Sequence, residues 1–327
     1  MTSLPLTNKP FPEKSITVGN MDLSIVVPVY NENESLPHLM EAIDKTLEPQ
    51  NLRFEVIFVD DGSTDGSFNE LKKLKEQFGK KIKAYRFSRN FGKSAALSAG
   101  IQEADGQVII TMDADLQDDP VAIPEMVAKI NEGWDVVSGW KKIRHDPLSK
   151  TLPSKVWNRI TAITSGVKIH DFNCGFKAYR SQAAKSIHIY GERHRYLPAL
   201  AYWEGFSVTE IVVPHHPRKF GKSKYGFGRM FNGIMDMITL LFLKRYLKSP
   251  LHFFGLLGLV LILIGMGVMG HFTIQWAITG MMRVRPLMIL ALGSMIVGVQ
   301  IISIGLIGEM ITHSQQTHSY TIRDRMD

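Results

Sequence analysis

Two uncharged apolar runs near the C-terminus, 251–270 (LHFFGLLGLVLILIGMGVMG) and 286–308 (PLMILALGSMIVGVQIISIGLIG), constrain this chain more than any other feature. Each matches the roughly 20 residues that a helix needs to cross the hydrocarbon of a bilayer. A buried core helix of a soluble protein is the competing reading, and two such runs in tandem weigh against it. Lys244, Arg245 and Lys248 precede the pair, and Arg323 and Arg325 follow it. The bias of lysine and arginine toward the cytoplasm therefore places both ends of the chain there, although Arg283 and Arg285 in the connector pull the other way. The stretch 228–249 is apolar but broken by Asp236 and closed by basic residues. It reads as an interfacial helix lying on the membrane or as an amphipathic helix of the globular part.

The 327 residues carry a net charge of +7, which suits nucleic acid, anionic lipid or a phosphate-bearing substrate. The single cysteine, Cys174, excludes an internal disulfide and a multi-cysteine zinc cluster, and reads as a small apolar residue. The first twenty residues hold Lys9 and Lys14 but no apolar core of a signal peptide. They are expected to form a flexible arm ahead of a cytoplasmic domain.

From 22 to 140, apolar β-rich runs alternate with helix-like stretches. Strands are expected over 23–29, 54–59, 83–87 and 108–112, with helices over 34–46, 66–78 and 93–104. That alternation indicates a doubly wound α/β fold with a parallel sheet. In such sheets ligands collect beyond the carboxyl ends of the strands, and each polar cluster of interest falls at one of those ends.

Asp113 and Asp115 flank Ala114 at the end of the fourth strand. Two carboxylates this close repel unless a cation sits between them or they point apart. A hard divalent ion, Mg2+ or Mn2+, shared with a diphosphate is the natural partner of an oxygen-only site, and Gln117 adds a polar contact. Solvated loop acids are the plain alternative. Asp60 and Asp61 suit a helix cap or hydrogen bonds to a ribose or base. Pro28, Tyr30 and Glu32 bring an aromatic face and a carboxylate, and Arg89 and Lys93 bracket a turn suited to phosphate. Basic residues cluster at 141–159 and 218–229, fitting anionic lipid or a lipid-borne phosphate. Nucleic acid is disfavoured, because aromatic interleaving is missing and the apolar runs would be left without a purpose.

Val27-Pro28-Val29-Tyr30-Asn31-Glu32, Val59-Asp60-Asp61-Gly62-Ser63, Arg89-Asn90-Phe91-Gly92-Lys93 and Asp113-Ala114-Asp115-Leu116-Gln117 resemble the family 2 glycosyltransferases of GT-A fold. With Asp171-Phe172-Asn173-Cys174-Gly175-Phe176-Lys177, Arg218 to Lys224 and the terminal spans, the chain resembles the polyprenyl-phosphate glycosyltransferases over roughly 22–310. The resemblance implies an arm (1–21), a catalytic GT-A domain (22–227), an interfacial helix (228–249), a two-helix transmembrane hairpin (250–310) and a cytoplasmic tail (311–327).

The resemblance also implies roles. Pro28, Tyr30, Glu32 and Asp61 would line the nucleoside pocket. Lys93, Asp113, Ala114, Asp115 and Gln117 would hold the donor diphosphate and its metal, joined by Arg218 and Lys224. Lys141, Lys150 and Ser154 would meet the acceptor phosphate, with lysine standing where relatives carry arginine. Asp115 and Asp171 are the expected catalytic pair, Asp171 orienting the acceptor or the sugar. The expected partners are a nucleotide sugar (UDP-glucose first, GDP-mannose as the alternative), undecaprenyl phosphate in the plasma membrane, further copies of the chain and a separate flippase. A processive polysaccharide synthase is disfavoured, since its Gln-x-x-Arg-Trp motif is missing. A rival of another class is an inactive membrane scaffold or transporter that binds nucleotide sugars.

Overall fold

The computed structural model describes residues 21–142, 158–187, 189, 193–217, 249–280 and 284–314. The expectations placed on Lys150, Ser154, Arg218, Lys224, the second basic cluster and the interfacial stretch 228–248 lie outside the described residues. The chain divides into two compact units, Met1–Met237 and Ile238–Asp327.

The first unit is built on a seven-stranded sheet. Its strands are β1 (Leu23–Val29), β2 (Phe54–Asp60), β3 (Ile82–Arg86), β4 (Val108–Thr111), β5 (Val136–Trp140), β6 (Lys177–Arg180) and β7 (Val208–Val212). They lie in the order β3-β2-β1-β4-β6-β5-β7. The described helices of this unit include α1 (Leu36–Leu47), α2 (Ser67–Phe78), α3 (Lys93–Gln102), α4 (Ile123–Asn131), α5 (Ser181–Ser186) and α6 (Leu197–Trp203). A further helical segment covers 158–165.

Strands β1 and β2 are mostly apolar because both faces of the sheet are covered, and their buried polar groups Ser24 and Glu55 are hydrogen-bonded to each other at 2.6 Å. Along β1 the side chains divide by the strand period of two. Ile25, Val27 and Val29 join a core with Leu39 and Ile43 of α1 and Leu71 of α2. Val26 faces the opposite core, with Leu97 of α3 and Leu197 of α6. Each such buried aliphatic side chain stabilises the fold by about 1.5–3 kcal/mol relative to exposure.

The sheet is mostly parallel, as expected, with one departure. Strand β6 runs antiparallel to both β4 and β5. The reason is topological. The chain leaves β5 at Trp140 and re-enters at Lys177, which pairs with Ser138 of β5 and Thr111 of β4 at that same sheet edge. A strand entering at the edge where the previous one left must run back.

The second unit holds α7 (Pro250–Thr279) and α8 (Pro286–Ser314), both long and apolar enough to cross a membrane. Helix α7 continues past residue 270, the end of the apolar run read from the sequence, to Thr279. The pair is antiparallel, and its backbones meet at glycine. A β-carbon on Gly258 would lie 2.5 Å from the Gly298 carbonyl oxygen, and one on Gly298 would lie 2.7 Å from that of Gly258. Close backbone approach through small residues is how apolar helices associate where lipid offers no hydrophobic contrast. Ser294 Oγ donates to the Leu261 carbonyl at 2.9 Å, and the Leu251 N–H donates to Glu309 Oε2 at 3.2 Å, occupying a first-turn amide of α7. Gly258→Val is expected to force the helices apart and cost about 1–3 kcal/mol of hairpin stability. Thermal unfolding in detergent micelles measures this, and an unchanged midpoint would contradict the close packing.

Candidate active site

Three loops at the carboxyl ends of β1, β2 and β3 are sewn together. The Asn31 N–H donates to Ser63 Oγ at 2.9 Å, and Asn31 Oδ1 accepts from the Thr64 N–H at 2.9 Å. The Glu32 N–H donates to Ser67 Oγ at 3.0 Å. Asp60 is fully buried, accepts from the Ser63 N–H at 2.9 Å and pairs with Arg86 Nε at 3.2 Å. Asp61 accepts from the Phe91 and Gly92 N–H groups at 2.6 and 2.9 Å.

These contacts correct the helix-cap reading of Asp60 and Asp61. Helix α2 begins only at Ser67, whose N–H donates to Asp65 Oδ1 at 3.0 Å. Asp61 instead clamps the loop that delivers Lys93 to the first turn of α3. Pro28 is part of β1, opposite Val59, and Tyr30 just beyond the strand is 36% exposed. Arg89 lies over the Phe91 ring at 4.8 Å to its centroid.

The Asp113-Ala114-Asp115 turn follows β4, and Lys93 Nζ is paired with Asp113 Oδ1. Burial raises the Asp113 carboxyl, but the Lys93 charge and hydrogen bond overcome this and bring it down to about 2. Ala114 is buried beneath the turn. Asp115 is 8% exposed and accepts the Gln117 N–H at 3.2 Å across Leu116, which takes a φ of 60°. Gln117 therefore contributes its backbone to shaping the turn. Among the described residues no three acidic, histidine or cysteine side chains form a ready-made metal cage. Asp113 and Asp115 supply hard oxygen donors, so a Mg2+ or Mn2+ ion fits if diphosphate oxygens and water complete its coordination.

Lys141 reaches this loop from the end of β5. Its ammonium lies 2.6 Å from Asp118 Oδ1, and the Asp118 side chain is wholly buried. Burial raises the Asp118 carboxyl, Asp113 and Asp115 add repulsion, and Lys141 opposes both. For Lys141, burial acts to lower the pKa, but Asp118 wins and holds the ammonium well above its ordinary value. The same loop is tied to the 215–217 segment. Asp118 bridges to His215, the His216 N–H donates to the Gln117 carbonyl at 2.9 Å, and His216 Nε2 lies 2.9 Å from Asp119 Oδ2.

Asp171 is only 1% exposed. It accepts from the Asn173 N–H at 3.1 Å and from Asn158 Nδ2 at 3.4 Å, so it organises its own turn. Cys174 is buried, and burial pushes its thiol up to about 12, which fits the inert small residue expected. Sequence reasoning passed over three groups. Asp118 had no motif around it beyond Asp-x-Asp. Lys177 is a buried lysine whose pKa is lowered by burial. His194 Nδ1 lies 2.9 Å from Ser94 Oγ, and burial, with Lys93 next, depresses its pKa well below the ordinary histidine value. Lys177 closes the Asp171–Lys177 motif, which carried the resemblance without giving the lysine a role of its own. No signal marked His194.

The chain is similar to proteins of established name. Residues 24–187 match the family described as Glycosyl transferase family 2. The dodecaprenyl-phosphate galacturonate synthase of Rhizobium johnstonii is 36% identical over 95% of this chain and 94% of its own. The undecaprenyl-phosphate 4-deoxy-4-formamido-L-arabinose transferase of Klebsiella pneumoniae subsp. pneumoniae is 35% identical over 88% of each chain. The glucosyl-3-phosphoglycerate synthase of Mycobacterium tuberculosis, solved with Mn2+, UDP and glucosyl-3-phosphoglycerate, is 15% identical and superposes with a TM-score of 0.53 over 69% of this chain and 80% of its own. That likeness speaks for the fold alone. The chain belongs to glycosyltransferase family 2, among its polyprenyl-phosphate glycosyltransferases.

Proposed function

We propose that this chain transfers a sugar, with inversion, from a UDP-sugar bound at the Asp113–Asp115 turn to undecaprenyl phosphate at the cytoplasmic face of the plasma membrane. The observation that carries the reading is the grouping of Lys93, Asp113, Asp115 and Lys141 around the carboxyl ends of β4 and β5. The relatives named for galacturonate and for 4-deoxy-4-formamido-L-arabinose support a lipid-phosphate acceptor. They also widen the donor panel beyond UDP-glucose to sugars bearing a carboxylate or a formamide. The hard oxygen donors of Asp113 and Asp115 support a divalent cation shared with the donor diphosphate. Helices α7 and α8 would anchor the chain, both termini cytoplasmic, and keep the site at the surface where the acceptor phosphate lies.

Asp113 and Asp115 would hold the cation, which when bound neutralises charge on the departing nucleoside diphosphate. Tyr30 and Glu32 would border the nucleoside, and Lys93 would pass to the diphosphate. Lys141 would present its ammonium to the acceptor. The acceptor phosphate has a second pKa of about 6 and is mostly dianionic at neutral pH, so it attacks without a strong general base. Catalysis is then alignment and charge stabilisation.

Asp171, enclosed in its turn, serves as a positioning group. Asp171→Asn keeps an oxygen for the Asn173 N–H and is expected to lose less than the ~10²-fold that removal of a general base brings. Its rate should still fall as the pH drops through about 6, where the acceptor phosphate gains a proton. A larger loss, with both substrates bound normally, would restore Asp171 as the base.

Purified protein given undecaprenyl phosphate and labelled UDP-glucose, UDP-galacturonate, UDP-4-deoxy-4-formamido-L-arabinose or GDP-mannose should move label into the lipid phase with one UDP-sugar, and only with a divalent cation present. No transfer and no nucleotide release from any donor would favour the inactive scaffold.

A further inference from the structure

The turn 174–175 is held by several side-chain and backbone hydrogen bonds. Lys177 Nζ donates to the Cys174 carbonyl, and Thr111 Oγ1 donates to the Gly175 carbonyl at 2.8 Å. Thr111 and Lys177 face each other in the antiparallel β4–β6 register, and both are buried. A third tie runs from the Gly139 N–H to the Phe176 carbonyl at 2.9 Å. The turn is thus fastened to β4, β5 and β6 together.

The tightly held turn bears on one side chain. A β-carbon on Gly175 would lie 2.7 Å from Asp113 Oδ2 and 2.8 Å from both its Cγ and its Oδ1. Glycine is the only residue that lets this backbone lie flat against the carboxylate. Lys93 Nζ also engages Asp113 Oδ1. The backbone of the preceding residue is pinned as well, since the Met112 N–H donates to the Val26 carbonyl at 3.1 Å. A carboxylate bracketed in this way has little freedom to turn.

Lys177 is informative because burying an ammonium is costly unless it is hydrogen-bonded and compensated. An apolar side chain of similar length would fill the same space without that cost. Burial lowers the Lys177 pKa, and its amine lies where it reaches the carbonyl next to Gly175, with Asp171 and Asp113 among the negative groups that act on it.

We propose that Thr111, Gly175 and Lys177 are positioning residues that strap the 174–175 turn against Asp113 and fix the orientation of its carboxylate. The proposal rests on the reading of Asp113 as a ligand of the donor's divalent cation. Groups that orient a metal ligand from behind typically change metal affinity by about 10- to 100-fold when removed.

Full-length protein in detergent, titrated with Mn2+ in the presence of UDP and followed by electron paramagnetic resonance, tests this. Thr111→Val, Gly175→Ala and Lys177→Met are expected to weaken Mn2+ binding by about tenfold or more. Thr111→Ser, which retains the hydroxyl donor, should restore it. The same variants should lose kcat with an unchanged KM for undecaprenyl phosphate, and the thermal midpoint of Thr111→Val should match that of Thr111→Ser. If Gly175→Ala or Lys177→Met fails to fold, the Thr111 pair decides alone. Wild-type Mn2+ affinity in Thr111→Val would overturn the strap while leaving the function standing. A wild-type protein that takes up no Mn2+ with UDP would instead remove the metal reading of Asp113, and the strap with it.

Discussion

Replacing Asp115 by asparagine is expected to lower kcat/KM by about 10³-fold, the scale on which a preorganised charge-stabilising group acts in a water-poor site. The substitution is chosen because it spares the fold. Asp115 Oδ1 accepts the Gln117 N–H at 3.2 Å, and the amide oxygen of asparagine can take over that bond. The Leu116 backbone at φ 60° should therefore persist, and the thermal midpoint should not move. What is lost is the negative charge proposed to face the donor diphosphate and its cation. Asp113→Asn is a less clean probe, because it also deprives Lys93 of its ion-pair partner and alters the groove beside Gly175. Label transfer to undecaprenyl phosphate and Mn2+ uptake with UDP, measured side by side, should fall together. Turnover within tenfold of wild type would mean that Asp115 does not face the donor.

The parts of this molecule that could be read from sequence are those whose physics is local. Short, mostly apolar, β-branched runs such as LSIVVPV and FEVIFVD read as buried strands, and they are β1 and β2 with shifts of at most a residue. Asp113 and Asp115 were visible because they follow such a run directly, where a parallel sheet presents its ligands. Family 2 membership was legible from four ordered motifs. The antiparallel β6 was not legible. KAYR carries no mark of direction, which is set by the chain returning from the same edge as the end of β5. The roles of Asp118, Lys177 and His194 were not legible for a related reason. Each gains its meaning from a partner far along the chain: Lys141 for the first, the 174–175 turn for the second, Ser94 for the third. Asp61 shows the converse. Its conspicuous motif suggested a nucleoside contact, and the structure adds two backbone amides that any such contact must share with it.

The second large effect is expected at Lys141, where stability and function can be separated. Lys141→Met leaves the wholly buried Asp118 carboxylate without its cation, and breaking one side of a buried ion pair costs about 3–5 kcal/mol. For a unit of this size that corresponds to a fall in Tm of roughly 10 °C. Removing both charges together is far less damaging, because the lone charge and not the lost attraction is the source of the penalty. The double variant Lys141→Met with Asp118→Asn should accordingly recover most of the lost Tm, as measured by thermal unfolding in detergent. Turnover should not return with it if Lys141 also meets the acceptor phosphate, and the loss should appear as a raised KM for undecaprenyl phosphate with donor binding intact. A double variant that recovers stability and full turnover would confine Lys141 to neutralising Asp118, and the acceptor phosphate would then have to be bound elsewhere. A single variant with an unchanged Tm would mean that Asp118 is protonated or hydrated in solution and that the pair is not a buried salt bridge. An acceptor role for Lys141 would thus require an ammonium that serves the lipid phosphate without abandoning the Asp118 carboxylate.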